Sequence, residues 1–340
     1  MPKYRAGVIG CGRMGSTIDD EMIGSNWFMP HSHAASYKEA RKTELAAAAD
    51  IDEAKLKAFS ERFGVTALYT DYKEMLAKEN LDIVSVTTKT VTKPEIVINA
   101  AKAGVKGIYC EKPIANILRE AEGMIAVCKE FDVKFAINAS LRWEAFYSKA
   151  KELIEQGVIG NLSSIVAYSV GALSHMGSHL LDIVRFYADA DADWVMGHMD
   201  SEEKSASDND LSGSGYIWFK NGVRAFINMS AGKCVTRELD LVGDKGRIRA
   251  LNDTRFELWV GNGRELVMRE FPRPQWIKGA DVRAVEDIVN CIENGGQPKC
   301  NGEDGKASLE IAIAMRESHR REKRIYLPLE NKELAMISGA

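Results

Sequence analysis

The chain has 340 residues, 45% of them hydrophobic and 28% charged, with a formal net charge of −4 at pH 7 and an isoelectric point near 6.0. That length suits two domains rather than one. The slight acidity gives no electrostatic footprint for nucleic acid or an anionic membrane, and no apolar run reaches membrane-spanning length. Met1–Arg5 leads straight into a strand-like run, which predicts no signal peptide and a cytoplasmic protein. The six cysteines are scattered without a C-x-x-C pair, so free thiols are expected.

The first half alternates strand and helix. Strand-like runs fall at Tyr4–Ile9, Glu44–Ala49, Ile83–Thr87, Gly107–Cys110 and Lys134–Asn138. Helical patterns lie between them, at Glu53–Phe63, Tyr72–Ala77, Pro94–Ala103 and Ile117–Phe131. Apolar strands alternating with helices predict a doubly wound parallel sheet covered on both faces. After the first strand comes Gly10-Cys11-Gly12-Arg13-Met14-Gly15, a G-x-G-x-x-G pattern at a strand–helix junction. There, Gly10 allows a tight turn, Gly12 lets backbone amides approach a pyrophosphate, and Gly15 lets helix and strand pack closely. A dinucleotide site is therefore expected, with the phosphates at the helix N-terminus.

Asp50, at the end of the second strand, is placed to accept hydrogen bonds from the adenosine ribose. Its charge would repel a 2′-phosphate, and the next residue is Ile51 rather than an arginine, so NAD is preferred to NADP. The alternative for Asp50 is a cap on the following helix. Asp50 lies 35 residues after Gly15, against about 20 in the usual fingerprint. The excess, within Ser16–His33, reads as an insertion beside the phosphate loop. Trp27, Phe28 and His31 could reach from it over the cleft, or it could be a surface elaboration or a subunit contact.

The pattern changes near residue 140. A helix is predicted at Arg142–Gln156, then strands at Leu162–Val170, Gly215–Phe219, Arg224–Ala231, Glu238–Val242, Arg247–Ala250 and Phe256–Val260. Three glycine-containing turns, at 220–222, 243–246 and 261–263, read as hairpin connections. Helices are predicted at His175–Tyr187, Asp281–Glu293 and Gly305–Arg321, and Asp200–Asp210 reads as a solvated loop. The expected organisation is a Rossmann domain over 1–139 and an α+β domain over 140–340 with a large open, mostly antiparallel sheet. That second domain would bind substrate and mediate oligomerisation. Apolar residues on strands such as Gly215–Phe219 predict a face covered by a second copy, in a homodimer or homotetramer.

Cys110-Glu111-Lys112-Pro113, together with the glycine loop, resembles the glucose–fructose oxidoreductase, inositol dehydrogenase and rhizopine-catabolism (Gfo/Idh/MocA) family. Val86-Thr87-Thr88-Lys89 resembles its segment after strand four, and Ser174–Asp182 its catalytic helix. Glu303–Ala307 with Glu317-Ser318 resembles its C-terminal signature. The resemblance implies hydride transfer between nicotinamide and a carbon of a sugar, sugar acid or cyclitol. It implies Lys112 beside the nicotinamide and His179 as acid/base. Asn138, Arg142, His175 and Asp182 would line the substrate site, and Thr87, Thr88, Lys89 and Glu111 would border the cofactor. A cis Lys112–Pro113 bond is also expected.

His179 suits proton transfer because the unperturbed histidine pKa is near 6.5. Lys112 can donate a hydrogen bond to a developing alkoxide. The chain departs from the family at His175, where Asp is usual four residues before the catalytic histidine. Two histidines at i and i+4 would share a helix face, but no third ligand accompanies them and no metal site is expected. The substitution opens alternatives to net oxidation. An isomerase, epimerase, lyase or glycosidase could use transient oxidation of a sugar carbon, and a non-enzymatic dinucleotide-binding regulator is a third reading. Trp276 is a candidate wall for a sugar, whereas Trp143, Trp194, Trp218 and Trp259 read as core. His33 reads as structural, and His198 and His319 as surface residues. The substrate, the oxidised carbon and the reaction direction are not written in the sequence.

Overall fold

In the computed structural model, residues 3–23, 27–232, 234–262 and 264–339 are described. The chain divides into two compact units. The first takes Met1–Ala115, Arg119–Glu144 and Ile277–Gly305. The second takes Asn116–Leu118, Ala145–Trp276 and Lys306–Ala340. The boundary expected at 139/140 is therefore corrected: Ile277–Gly305, late in the sequence, belongs with the N-terminal half.

The first unit is built on a six-stranded parallel sheet of Tyr4–Ile9 (β1), Thr43–Ala49 (β2), Ala67–Tyr69 (β3), Ile83–Val86 (β4), Gly107–Cys110 (β5) and Lys134–Ile137 (β6). The order is β3-β2-β1-β4-β5-β6. The strand order reverses beside β1, so the crevice at the carboxyl ends of β1 and β4 is the topological switch point. β4 and β5 are buried at every residue, as a sheet covered on both faces requires. The helix Ala280–Asn294 supplies part of that cover. A Cβ on Gly107 would stand 2.7 Å from Ile288 Cγ2, so the close approach of helix to β5 depends on glycine there.

The glycine-loop helix is short. It runs as a π-turn over Arg13–Thr17 and an α-turn over Ile18–Glu21, and helix resumes only at His33–Glu39. The long spacing from Gly15 to Asp50 is thus an interruption of the first crossover helix. Part of the interruption, Gly24–Asn26, lies outside the described residues. Its far end docks within the same unit. Gly279 N donates to Met29 O at 3.2 Å, and a Cβ on Gly279 would stand 2.9 Å from the Met29 carbonyl carbon.

The second unit carries a nine-stranded sheet of Leu162–Ser169 (β7), Ala192–Met199 (β8), Gly213–Phe219 (β9), Arg224–Asn228 (β10), Arg237–Gly243 (β11), Gly246–Leu251 (β12), Arg255–Asn262 (β13), Glu265–Arg269 (β14) and Ile325–Tyr326 (β15). The order is β14-β13-β12-β11-β7-β10-β9-β8-β15, antiparallel except for the β7–β10 pair. Of the expected hairpin turns, that at 261–263 includes Gly263, outside the described residues. The predicted helix Arg142–Gln156 is a 3-10 turn at Ser140–Arg142 followed by a helix over Ala145–Glu155.

One face of this sheet is covered by helices. A Cβ on Gly197 of β8 would stand 2.7 Å from the Met315 Cα of the helix Gly302–Arg321. The other face is aromatic and partly open. Trp194 and Trp218 stack at 5.8 Å, and Phe226, Tyr168 and Met196 are exposed on neighbouring strands. Trp194, Trp218 and Trp259 are therefore half-buried face residues, and only Trp143 is core, at 1% exposure. No helix among the described residues is long and apolar enough to cross a membrane. All six cysteines are free.

Candidate active site

The glycine loop is pinned from the ends of two neighbouring strands, β2 and β4. Gly10 adopts a φ of +102°, and its N–H donates to Ala49 O of β2 at 2.8 Å. Thr87, just past β4, donates its hydroxyl to Gly10 O at 2.5 Å. Cys11 N–H donates to Asp50 Oδ2 at 2.7 Å. Burial pushes the Cys11 thiol, with help from the Asp50 charge, up to about 12, so it stays protonated and inert. A Cβ on Gly15 would overlap Gly10 O and stand 3.0 Å from Thr87 Oγ1, which is the tight helix–strand packing expected of the third glycine. A Cβ on Gly12 would meet nothing within 4 Å. That face of the loop is open for a ligand to approach the backbone.

A cavity of about 370 Å³ adjoins the loop, lined among others by Gly12, Asp50, Ile51, Thr88 and Lys89. Ile51 is 92% exposed, an apolar side chain held in the open where a flat ring could lie against it. Asp52, not Asp50, caps the next helix by accepting from Ala54 N–H and Lys55 N–H. Asp50 Oδ1 accepts from Asp52 N–H at 3.0 Å, and each carboxylate oxygen keeps a lone pair for a ribose hydroxyl. The open Gly12 cradle and this donor–acceptor set fit a dinucleotide. Two expected contacts look elsewhere: Arg13 forks onto the Glu21 carboxylate at 2.8 Å in an exposed ion pair, and Met14 lies beside that guanidinium.

At the same end of the sheet, Lys112 follows β5. It is half-buried, and the Lys112–Pro113 bond is cis, as expected. The neighbouring Glu111 carboxylate, 6% exposed, accepts from Asn138 Nδ2 at 2.7 Å and pairs with His33 Nε2 at 3.0 Å. Burial penalises this carboxylate, but the His33 hydrogen bond and charge, aided by Lys112 and Lys93, outweigh it and lower its pKa to about 2. His33 is fully buried, bonded through Nδ1 to Ser85 Oγ at 2.8 Å and stacked on Tyr109 at 4.3 Å. It is structural, as read.

Asn138 is expected to line the substrate site. At 2% exposure it bridges Glu111 and Asp281. Asp281 also accepts from Tyr109 OH at 2.8 Å and meets His31 Nδ1 at 3.4 Å. Burial works against charge on His31, but the Asp281 hydrogen bond and charge outweigh it and raise its pKa. His31 therefore docks on the helix Ala280–Asn294 of its own unit. Arg142 is likewise buried, donating to Lys299 O at 2.6 Å and pairing with Asp304 at 3.1 Å. Its guanidinium ties a loop.

In the second unit, the predicted catalytic helix begins at Gly177 and ends at Ala188. His175 lies in the preceding turn, so His175 and His179 are not one regular helical i, i+4 pair. Both histidines are half-buried. The turn is held by Asp210, whose two oxygens accept from Ser174 N–H and His175 N–H, each at 2.8 Å. Asp210 closes the stretch expected to be a solvated loop. Asp182 is 1% exposed, whereas Trp276 is 66% exposed. His319 is not a surface residue: its ring accepts from Met199 N–H at 3.4 Å. No cluster of three metal-ligating side chains occurs among the described residues.

Sequence reasoning missed Lys93, Asp281 and Asp210. Lys93 left a faint signal, a basic residue in a helix first turn where the dipole disfavours it. Asp281 and Asp210 left none, because their partners are over 30 residues away.

Comparison with known proteins gives the family. Residues 21–139 match the profile described as an oxidoreductase family, NAD-binding Rossmann fold, and residues 167–329 match its C-terminal alpha/beta domain. The D-apiose dehydrogenase of Paraburkholderia graminis is 25% identical over 99% of this chain and 93% of its own length. The myo-inositol 2-dehydrogenase of Thermotoga maritima is 27% identical over 95% and 98%. An Agrobacterium radiobacter oxidoreductase, solved with NAD+, L-tartaric acid and magnesium, shares the fold with a TM-score of 0.80 at 20% identity, covering 95% of this chain and 98% of its own. With a Rossmann unit for NAD, a nine-stranded second unit and both family profiles matched in order, the chain belongs to the Gfo/Idh/MocA oxidoreductases.

Proposed function

We propose that the protein oxidises a hydroxyl carbon of a sugar, sugar acid or cyclitol, with NAD preferred to NADP. The observation that carries this reading is the gathering of Gly12, Asp50 and Lys112 at the carboxyl ends of the parallel strands within one unit. Bound NAD supplies the hydride acceptor. Asp50 and Ile51 would hold the adenosine half, Asp50 disfavouring a 2′-phosphate. The Lys112 ammonium donates to the substrate oxygen and favours its alkoxide. His179 takes up the hydroxyl proton, as an imidazole near neutrality can. His175 and Trp276 are the substrate contacts we retain. The relatives' named substrates, D-apiose and myo-inositol, support the polyol class. The partly open aromatic face of the second unit supports a homodimer or homotetramer built on that face.

The test is NADH formation with a panel of aldoses, sugar acids and inositols. Lys112→Ala and His179→Ala should each lower kcat by ~10²–10⁴-fold while NADH still binds. A full-rate Lys112→Ala enzyme, or a protein that binds no nicotinamide dinucleotide, refutes the reading. NADH accumulating in step with product establishes net oxidation. Turnover on catalytic NAD without accumulating NADH selects transient oxidation instead.

A further inference from the structure

Lys93 opens the helix Lys93–Lys102 and is 1% exposed. Its ammonium donates to Glu111 O at 2.7 Å and to Pro113 O at 2.8 Å. Those carbonyls belong to the residues immediately before and after Lys112. Burying an ammonium costs several kcal/mol even when its donors are met, and a cation in a helix first turn also opposes the dipole. A helix start needs neither. What this lysine does, and a shorter or apolar side chain would not, is bracket one residue of the chain from both sides.

We propose that Lys93 is a positioning residue for Lys112, its buried ammonium clamping the two carbonyls that flank it and so fixing where the Lys112 side chain leaves the backbone. This rests on the reading that Lys112 contacts the reacting hydroxyl. Glu111 contributes from the other side, its own side chain held by His33 and Asn138. The clamp also carries charge. Burial lowers the Lys93 pKa, the charges of Cys110 and Glu111 raise it, and that of Lys112 lowers it. The Lys93 and Lys112 charges thus disfavour each other across the clamp.

Lys93→Met removes both donors and the charge at similar volume, and Lys93→Gln restores an N–H donor without charge. The Lys112 amine is labelled with a methylating reagent across a pH series and followed by mass spectrometry. In parallel, NADH affinity and kcat on an accepted polyol are measured. Lys93→Met should lower kcat at least ~30-fold, of the order that loss of reactant alignment costs, with NADH affinity within about threefold. The Lys112 labelling midpoint should move to higher pH in both variants, and Lys93→Gln should recover part of kcat. An unchanged midpoint together with unchanged kcat overturns the proposal. Failure of both variants to fold also overturns it, since Lys93 would then serve the fold. Labelling and NADH binding need no substrate, so they separate this proposal from the role of Lys112 in turnover, which Lys112→Ala tests on its own.

Discussion

Gly12 and Gly15 belong to one motif but face different things, so the same substitution should have opposite consequences at the two. A Cβ on Gly15 would overlap Gly10 O and stand 3.0 Å from Thr87 Oγ1 and 3.2 Å from the Gly10 carbonyl carbon. Backbone has to give way, and overpacking of this kind costs ~1–3 kcal/mol or more. At about 2–4 °C per kcal/mol for a unit of this size, Gly15→Ala should melt ~2–12 °C below the parent. A Cβ on Gly12 meets nothing within 4 Å, and its φ of −77° suits any residue. Gly12→Ala should therefore melt with the parent, yet fill the space through which a pyrophosphate reaches the backbone. A hundredfold loss in NADH affinity, ~2.7 kcal/mol, is expected. Differential scanning fluorimetry with and without NADH reads both effects, because ligand at 100 times the parent's Kd stabilises the parent by ~2.7 kcal/mol and Gly12→Ala by only ~0.4 kcal/mol. Parent-like NADH affinity in Gly12→Ala refutes the assignment of that open face to the dinucleotide. An unshifted melting point in Gly15→Ala refutes the packing argument.

Asp50→Ala removes the acceptor that holds Cys11 N–H and the charge facing a 2′-phosphate. NADH affinity should fall at least ~10-fold and the NADPH/NADH affinity ratio should rise; fluorescence titration with both cofactors checks this, and an unchanged ratio counts against Asp50 as the discriminator. Glu111 has a folded pKa of about 2, below the unfolded glutamate value. Its contribution to stability is thus complete above roughly pH 4.5 and is lost as pH falls towards 2. Glu111→Gln should be less stable at neutral pH and show a flatter acid unfolding curve; equal slopes for parent and variant between pH 4.5 and 2 would contradict the buried-carboxylate argument. Phe226→Asp places a charge on the open aromatic face of the nine-stranded sheet, where Phe226 is 42% exposed. Light scattering should show a smaller species than the parent, and a parent that is already monomeric at micromolar concentration removes the case for this face as an interface.

The elements that sequence made legible are those whose cause is local. Glu53–Phe63 is bracketed by Asp52 as its N-cap and Gly64 at a φ of +74°, and it folds over the predicted residues. β1 and β5 likewise match residue for residue, because a short apolar run bounded by turn residues has one good use in a covered sheet. The missed strands lack such a cause. β3 is three half-buried residues, and β8 has its alternation broken by Gly197, which packs on the backbone at Met315. The site divides the same way. Gly10 and Gly15 were readable because their backbone duties, a tight turn and a close helix–strand approach, follow from geometry within one βαβ unit. The partners of Asn138 and Arg142 were not readable, because they include Asp281, Lys299 and Asp304, residues more than 130 positions away.

That distance explains why the late segment Ile277–Gly305 folds into the first unit. The parallel sheet ends at β6, and its outer strands need cover that the first 144 residues do not provide. The helix Ala280–Asn294 gives it, seating Ile288 against Gly107 of β5. The same helix delivers Asp281 to Tyr109 and Asn138. Asn138 in turn holds Glu111, whose backbone carbonyl Lys93 grips. Lys112 thus sits on a turn whose every fixed point is buried, although the lysine itself is half-open. Replacing Asp281 with Asn keeps the volume but turns one acceptor oxygen into a donor. Tyr109 OH and Asn138 Nδ2 share Oδ1 and His31 Nδ1 faces Oδ2, so His31 must either give up its proton at Nδ1 or lose its acceptor there, at ~1–3 kcal/mol. If the network exists to steady the Lys112 turn, Asp281→Asn should lower kcat by more than its loss of stability explains, with the excess visible well below the melting temperature. A variant that melts lower but turns over at the parent's rate when folded would make the network a support for the sheet alone.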